Sequence, residues 1–311
     1  MLRRTFLALA LARPASKRRA VRFLLDNQSA DGAWHSTTYG LLRSGQSLTP
    51  QVLLALLNSS EPMPQDRVEK AAGFIRANID PEGALGRTDP FVVDYPNYAT
   101  SLAVRALIKA KKTGWRPMLE YLKSQQFIET NGWRPQDPAY GAWGIGGDRR
   151  TPPYPGHVDL SMTRHVVEAF HAVGLPTPPS TRTFLERLRN PDGGSCFSTV
   201  VLDANKAGEK VSYGTATADA WRCLPNPSAE SWLRGRHRPD ATPGFENCSD
   251  KRWIQGLYYY YAAAYPFPDA ALDDHLLQTQ NRDGSWRNPQ PLVKEDDPLI
   301  ATSFALTALS K

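Results

Sequence analysis

Read for hydrophobic and polar positions, the chain alternates between two kinds of helical run. One kind is amphipathic and ends in a fixed pattern: Phe23-Leu24, then Gln28, Gly32 and Trp34, and near the other end Gln280, Gly284 and Trp286. Worn copies keep the spacing at Phe74-Ile75 with Gly83, at Phe184-Leu185 with Gly193, and at Tyr121-Leu122-Gln126 with Gly132-Trp133. The glycine permits the left-handed turn that stops a helix, the tryptophan covers that turn, and the glutamine amide bonds backbone groups left open there. These residues read as structural staples rather than as chemistry.

The second kind of run has its own register. With Thr49, Thr100, Thr163, Thr217 and Thr302 aligned, a small residue stands six places on (Ala55, Ala106, Ala169, Cys223, Ala308). Seven places on stand Leu56, Leu107, Phe170, Leu224 and Leu309. A further run, 253–264, has lost the threonine but is apolar and reads as one helix. Pairing the two kinds predicts six hairpins. Outer helices are expected to start near Lys17, Asp66, Pro117, Ser180, Pro227 and Ala270, and inner ones near Thr49, Tyr98, Leu160, Thr215, Trp253 and Leu299. Such a period means a repeat architecture, and six pairs close into a ring that needs no capping repeats. The expectation is all-α: one (α/α)6 toroid over 17–311, with the small-residue helices innermost. Its long Pro- and Gly-rich loops, 134–156 and 196–211, gather at the barrel ends, where sites lie.

The Gln-Gly-Trp endings, alternating with threonine-register helices, resemble the repeat of squalene-hopene cyclases, oxidosqualene cyclases and protein prenyltransferase β-subunits. The resemblance implies a terpenoid-cyclase-type toroid that binds a ligand, an isoprenoid among the options, in a central cavity. It also marks two departures. Protonating cyclases carry Asp-x-Asp-Asp-Thr at the start of one inner helix, whereas Thr100 here follows Tyr98-Ala99 and Thr302 follows Ile300-Ala301. Asp296-Asp297 stands too early, ahead of Pro298, and Asp94 is likewise displaced, so both read as helix-start carboxylates favoured by the helix dipole. Prenyltransferases hold zinc with Asp-x-Cys and a distant His. Cys196, Cys223 and Cys248 lack that partner and the six histidines form no HxxxH pair, so neither metal nor cofactor is expected.

In the family pattern the acid stands two residues before the register threonine and faces the cavity. The matching positions are Ser47, Tyr98, Ser161, Thr215 and Ile300, and one turn deeper stand Gln51, Leu102, His165, Asp219 and Phe304. His165 and Asp219 are the candidate catalytic pair, with Ser47, Gln51, Tyr98, Ser161 and Thr215 as ligand-binding candidates. A structural role for His165 and Asp219 weighs as much, because buried polar groups are commonly just hydrogen-bonded. His157 and Asp159 form a second candidate pair, in which Asp159 reads equally as an N-cap.

Composition narrows this further. The chain has 311 residues, 41% of them hydrophobic, enough for a sizeable core. No apolar run reaches the roughly 18 residues of a membrane span. The net charge of +6 includes Arg3, Arg4 and Arg13 in an N-terminal stretch without acids, and no basic patch argues for nucleic acid. Residues 1–16, with Arg3-Arg4-Thr5-Phe6-Leu7 before an alanine-rich run, read as a twin-arginine-type export signal or as a basic leader. Three cysteines argue against a disulfide framework. Three classes therefore stay open, in this order: an isoprenoid-binding, cyclase-like enzyme without the standard acid, an exported carbohydrate-active toroid (lyase or hydrolase), and a non-catalytic binding or scaffold domain. Peripheral membrane contact and oligomeric state are left open.

Overall fold

A computed structural model describes residues 2–311, with side chains from residue 12 on. The side chains of residues 1–11, Arg3 and Arg4 of the expected leader among them, therefore lie outside what is described. The described residues fold into thirteen α-helices, without a β-strand among them. In order they are α1 (Leu2–Asp26), α2 (Leu48–Asn58), α3 (Gln65–Ala77), α4 (Pro96–Lys109), α5 (Trp115–Ser124), α6 (Leu160–Ala172), α7 (Pro179–Leu188), α8 (Gly214–Cys223), α9 (Pro227–Arg236), α10 (Trp253–Gly256), α11 (Tyr258–Ala264), α12 (Ala270–Thr279) and α13 (Pro298–Ala308). The inner helices α2, α4, α6, α8, α11 and α13 pack each against the next, and α13 returns to α2, closing the ring. This is the expected (α/α)6 toroid. Closure also brings the chain ends together. α1 packs on α12 and α13, Arg13 Nε and Nη2 donate to the Leu309 carbonyl at 2.9 and 2.7 Å, and Arg13 Nη1 meets Asp273 at 2.7 Å.

The two sequence registers meet in one device. Each register threonine sits within the first five residues of an inner helix, and its Oγ1 accepts the backbone N–H of the staple residue. Thr49 takes Trp34 N (3.1 Å), Thr100 Leu85 N (2.9 Å), Thr163 Trp143 N (3.2 Å), Thr217 Ser195 N (3.1 Å) and Thr302 Trp286 N (3.0 Å). Trp34 and Trp286 are fully buried, and their indole N–H groups donate to Leu24 O (2.6 Å) and Leu276 O (2.8 Å), carbonyls at the ends of outer helices. Gln28 and Gln280 close the turn onto the carbonyls of Gly32 and Gly284, at 2.8 and 2.9 Å. Only glycine fits at the turn. Gly32 has φ +91°, and a Cβ there would lie 2.5 Å from the Lys70 carbonyl oxygen.

Two expectations are corrected here. In the third repeat the staple is Trp143, whose indole donates to Leu122 O at 2.7 Å, while Gln126 closes onto the Gly141 carbonyl at 3.1 Å. The intervening segment, with Gly132-Trp133, is an insertion between glutamine and glycine that mimics the spacing. The run 253–264 is two helices, broken at Leu257 (φ −123°, ψ 19°). The break opens backbone N–H groups at the start of α11, and the buried carboxylate of Glu295 accepts from Tyr259 N (3.0 Å) and Tyr260 N (2.8 Å).

Candidate functional site

The inner helices run parallel, so their N-terminal ends and the loops leading into them gather at one end of the barrel. There a cavity of ≈ 510 Å³ opens, within the usual range for small-molecule sites. The structure brings Ser47, Gln51, Tyr98, Ser161 and Thr215 to its wall, together with Ile300 and Phe304 from the same register. Seven aromatic side chains face it: Tyr95, Tyr98, Phe197, Tyr213, Trp253, Tyr260 and Phe304. Leu42, Leu48, Met162, Leu257 and Ile300 supply aliphatic surface, and His157, Lys206 and Lys294 bring cationic or basic groups. The ring polar groups are largely engaged with one another. Tyr98 OH donates to Gln51 Oε1 (3.0 Å), Gln51 Nε2 donates to Ser303 Oγ (2.7 Å), and Ser161 Oγ lies 2.8 Å from Tyr260 OH.

The carboxylates around this end serve the helix starts. Asp94 accepts from Ser47 N and Ser47 Oγ (3.0 and 2.7 Å), and burial raises its pKa. Asp297 accepts from Leu299 N (2.9 Å) and Ser36 Oγ (2.5 Å). Asp159 differs because it does two things at once. Its Oδ1 caps α6 through Met162 N (2.7 Å), while Oδ2 meets His157 Nε2 at 2.8 Å, and both residues line the cavity. The Asp159 hydrogen bond raises the His157 pKa against the opposing pull of burial. The shift favours the imidazolium, so the pair places a proton donor and acceptor at the cavity wall.

His165 and Asp219 are placed differently from expectation. Both are buried, neither lines the cavity, and they do not bond each other. Asp219 is taken by Arg164 Nε (2.9 Å) and by Tyr260 OH (2.8 Å). Arg164 also donates to Glu168 at 2.7 Å and to Tyr260 OH at 3.0 Å. Glu168 in turn gathers Arg105 (2.7 Å) and Arg222 (2.5 Å). Burial would raise Glu168, but Arg105, Arg164 and Arg222 together hold its carboxyl well below the ordinary range. Burial pushes Asp219 up to about 6, with Arg164 pulling the other way. His165 stands with its ring 4.4 Å from that of Tyr98 and has no hydrogen-bond partner among the described residues. Burial first, and the nearby Arg164 second, drive its pKa well down. The deeper register positions diverge: Gln51 and Phe304 reach the cavity, whereas His165 packs against the Tyr98 ring and Asp219 bonds Tyr260 OH, so these two tyrosines stand at the wall in their place.

Tyr260 is the residue the register missed. It joins the floor to the cavity, because its hydroxyl donates to Asp219 below while its ring lines the wall above. The tyrosine run 258–261 flagged the segment, but the break at Leu257 resets the helix phase, so no repeat register singles out Tyr260. Glu295, buried and pushed up to about 7 chiefly by burial, also lines the cavity. Among the described residues no three His, Cys, Asp or Glu side chains gather as metal ligands, and no helix is long and apolar enough to cross a membrane.

No family model and no curated protein matches the chain. Solved structures do. A variant of the type II terpene cyclase MstE from Scytonema, in complex with its substrate geranylgeranyl dihydroxybenzoate, superposes with a TM-score of 0.63 at 13% identity, over 98% of each chain. MstE without ligand gives 0.62 at 12% identity over 96% of this chain and 98% of that one. A protein from Actinoplanes gives 0.57 at 16% identity over 96% and 98%. The fold is therefore terpenoid-cyclase-like.

Proposed function

We propose that this protein is a terpenoid-cyclase-like enzyme that takes an isoprenoid into its central cavity, with Ser47, Gln51, Tyr98, Ser161 and Thr215 lining the binding wall. The observation that carries this reading is the cavity's composition. Seven aromatic faces and a band of aliphatic side chains surround ≈ 510 Å³ at the inner-helix N-termini. That space is in the range of small-molecule sites, and its largely apolar wall suits a hydrocarbon chain. Aromatic faces attract positive charge, which fits a substrate that develops carbocation character. A sugar would demand far more hydrogen bonds than a wall whose polar groups already bond one another offers.

The reacting polar group in this reading is the His157–Asp159 pair. An imidazolium is too weak an acid for an unactivated alkene. As the imidazolium, His157 suits proton donation to an oxygen function of the substrate, and as the neutral imidazole it suits uptake of the proton whose loss ends a cationic cascade. Asp159, fixed by Met162 N, holds the imidazole in place. Asp219 acts through Tyr260 as a positioning residue.

The test uses Trp253, the one tryptophan in the cavity wall. Titration with farnesol or geranylgeraniol is expected to quench fluorescence, and the quench is expected to disappear in Trp253→Phe. Mass spectrometry of the extracted protein is expected to reveal an isoprenoid. An oligosaccharide there, with no response to either alcohol, would overturn the reading.

A further inference from the structure

A chain of oxygens runs from the barrel floor to the cavity wall. Asp219 is fully buried on α8, Tyr260 OH lies 2.8 Å from its Oδ2, and Ser161 Oγ lies 2.8 Å from Tyr260 OH. Ser161 and Tyr260 are only partly buried and both line the cavity, so the chain ends on a hydroxyl that a ligand can touch. Each oxygen has a limited number of places to give or take a proton. Arg164 Nε takes Asp219 Oδ1 at 2.9 Å, and Arg164 Nη2 fills one acceptor place of the Tyr260 oxygen at 3.0 Å. Tyr260 OH is the one hydrogen-bond partner of Ser161 Oγ among the described residues.

These constraints leave two arrangements, selected by the charge on Asp219. With Asp219 ionised, Tyr260 donates to Oδ2, so Ser161 donates to Tyr260 and turns its lone pairs to the cavity. With a proton on Oδ2, the carboxyl donates to Tyr260 and Tyr260 donates to Ser161. The Ser161 proton then has only the cavity to point into. The groups acting on Asp219 are few. From α6 come Arg164, which favours the carboxylate, and Glu168, which opposes it, while α11 brings Tyr260. Tyr98, Tyr213 and Cys223 stand near, and burial raises all three, so they stay neutral. The outer helix α9 packs on α8 but adds no charged group to this set among the described residues.

We propose that Asp219, Tyr260 and Ser161 form a polarity switch, in which the proton on Asp219 sets whether the cavity wall offers a ligand oxygen a donor or an acceptor. Ser161 makes the contact, and Asp219 and Tyr260 position its proton. Burial pushes Asp219 up to about 6, so both states are within reach of ordinary pH. The proposal deepens the isoprenoid reading of the cavity and rests on it: an alcohol can pair with either state, whereas an oxygen that only accepts is held by the protonated state alone.

Trp253 quenching by farnesol and by farnesyl methyl ether, the same chain with an acceptor-only oxygen, tests it between pH 5 and pH 8. The preference for farnesol over the ether is expected to be up to about tenfold at pH 8, the worth of one hydrogen bond, and to vanish toward pH 5. Its midpoint is expected near pH 6. His157 also lines the wall and titrates, and Tyr260→Phe separates the two, because it cuts the chain and leaves His157 in place. That variant is expected to lose the shift. Asp219→Asn, whose amide nitrogen donates to Tyr260 at every pH, is expected to stay at the low-pH preference throughout. Infrared difference spectra of the free protein between the same pH values are expected to show a protonated-carboxyl band that Asp219→Asn removes. A preference that does not move with pH, an equal shift in Tyr260→Phe, or no Asp219 band would overturn the switch while the isoprenoid reading stands. Binding of neither compound at any pH would bring down both.

Discussion

The register threonine of each inner helix does one thing five times, whereas the residue two places before it never does the same thing twice. Thr49, Thr100, Thr163, Thr217 and Thr302 all accept a staple backbone N–H. Ser47 bonds Asp94, Tyr98 bonds Gln51, Ser161 bonds Tyr260, and Ile300 offers only apolar surface. Repetition marks what every hairpin needs to pack, and divergence marks the cavity wall, where the proposed ligand would be met from several sides. Below the cavity a third pattern, Arg105, Arg164, Arg222, Glu168 and Asp219, occurs once and bonds itself.

The largest expected effects fall on the repeated and self-bonded groups. Trp286→Ala is expected to cost about 3–5 kcal/mol, as deletions of large buried aromatics do. Glu168→Gln takes the negative charge from among three guanidiniums, of which only Arg164 keeps another carboxylate, Asp219, and is expected to cost a similar ~3–5 kcal/mol. Thermal and urea unfolding measure both. A Trp286→Ala protein that melts like the parent but binds ligand poorly would erase the distinction between staple and site.

That distinction also explains how much could be read in advance. Helix starts were legible, because Thr, Gly, Gln and Trp carry the same contact in repeat after repeat: α6, α9 and α12 begin at the expected Leu160, Pro227 and Ala270. The cavity ring was legible for the same reason, since a fixed offset from the threonine fixes the direction of a side chain. The same offset puts Gln51 and Phe304 on the cavity wall but not His165 and Asp219, because an offset does not show that Tyr98 and Tyr260 take the wall beside them. Tyr260 and the break at Leu257 escaped because they belong to the one inner helix without the threonine, and Glu295 because it lies in the loop ahead of α13, outside any repeat position. The Trp143 staple escaped because an insertion separates Gln126 from Gly141.

A pH experiment sharpens the comparison between the caps and the floor. Glu295 is raised to about 7, from an ordinary value of 4.5, chiefly by burial. The folded protein therefore holds a proton that the unfolded chain releases. Its contribution is complete below about pH 4.5 and is lost as pH rises through about 7. Melting temperature is expected to fall between pH 5 and pH 8, and Glu295→Gln is expected to flatten that slope, by at most about 3 kcal/mol. Glu168 has the opposite sign. Its carboxyl is depressed by the three arginines, so its contribution is present above about pH 4.5 and is lost only in stronger acid. A Glu295→Gln slope equal to the parent's would mean that the carboxylate is stably ionised by its backbone donors.

Smaller still is the expected effect of Thr163→Val, at about 1–3 kcal/mol. It leaves Trp143 N buried without an acceptor, and a stranded donor costs more than the bond was worth. Valine keeps the shape, so ligand binding is expected to stay within a factor of two.

Ser161→Ala is the complementary change, with the smallest expected effect on stability and the clearest on function. The Ser161 hydroxyl has one side-chain partner, Tyr260 OH at 2.8 Å, and Tyr260 keeps Asp219 and Arg164 when it goes. No buried group is left alone, so the cost is expected to stay at or below about 1 kcal/mol, the net worth of one hydrogen bond. The same substitution removes a hydroxyl from the cavity wall and frees one lone-pair direction of the Tyr260 oxygen toward the ligand. Farnesol affinity measured through Trp253 quenching is therefore expected to shift severalfold while the melting temperature barely moves. Thr163 and Ser161 lie two residues apart on α6, so the pair forms a controlled contrast: same helix, same turn, opposite readouts. A Ser161→Ala protein that loses stability and keeps its affinity would assign the ring to packing, and would remove the reason for placing the ligand among these side chains.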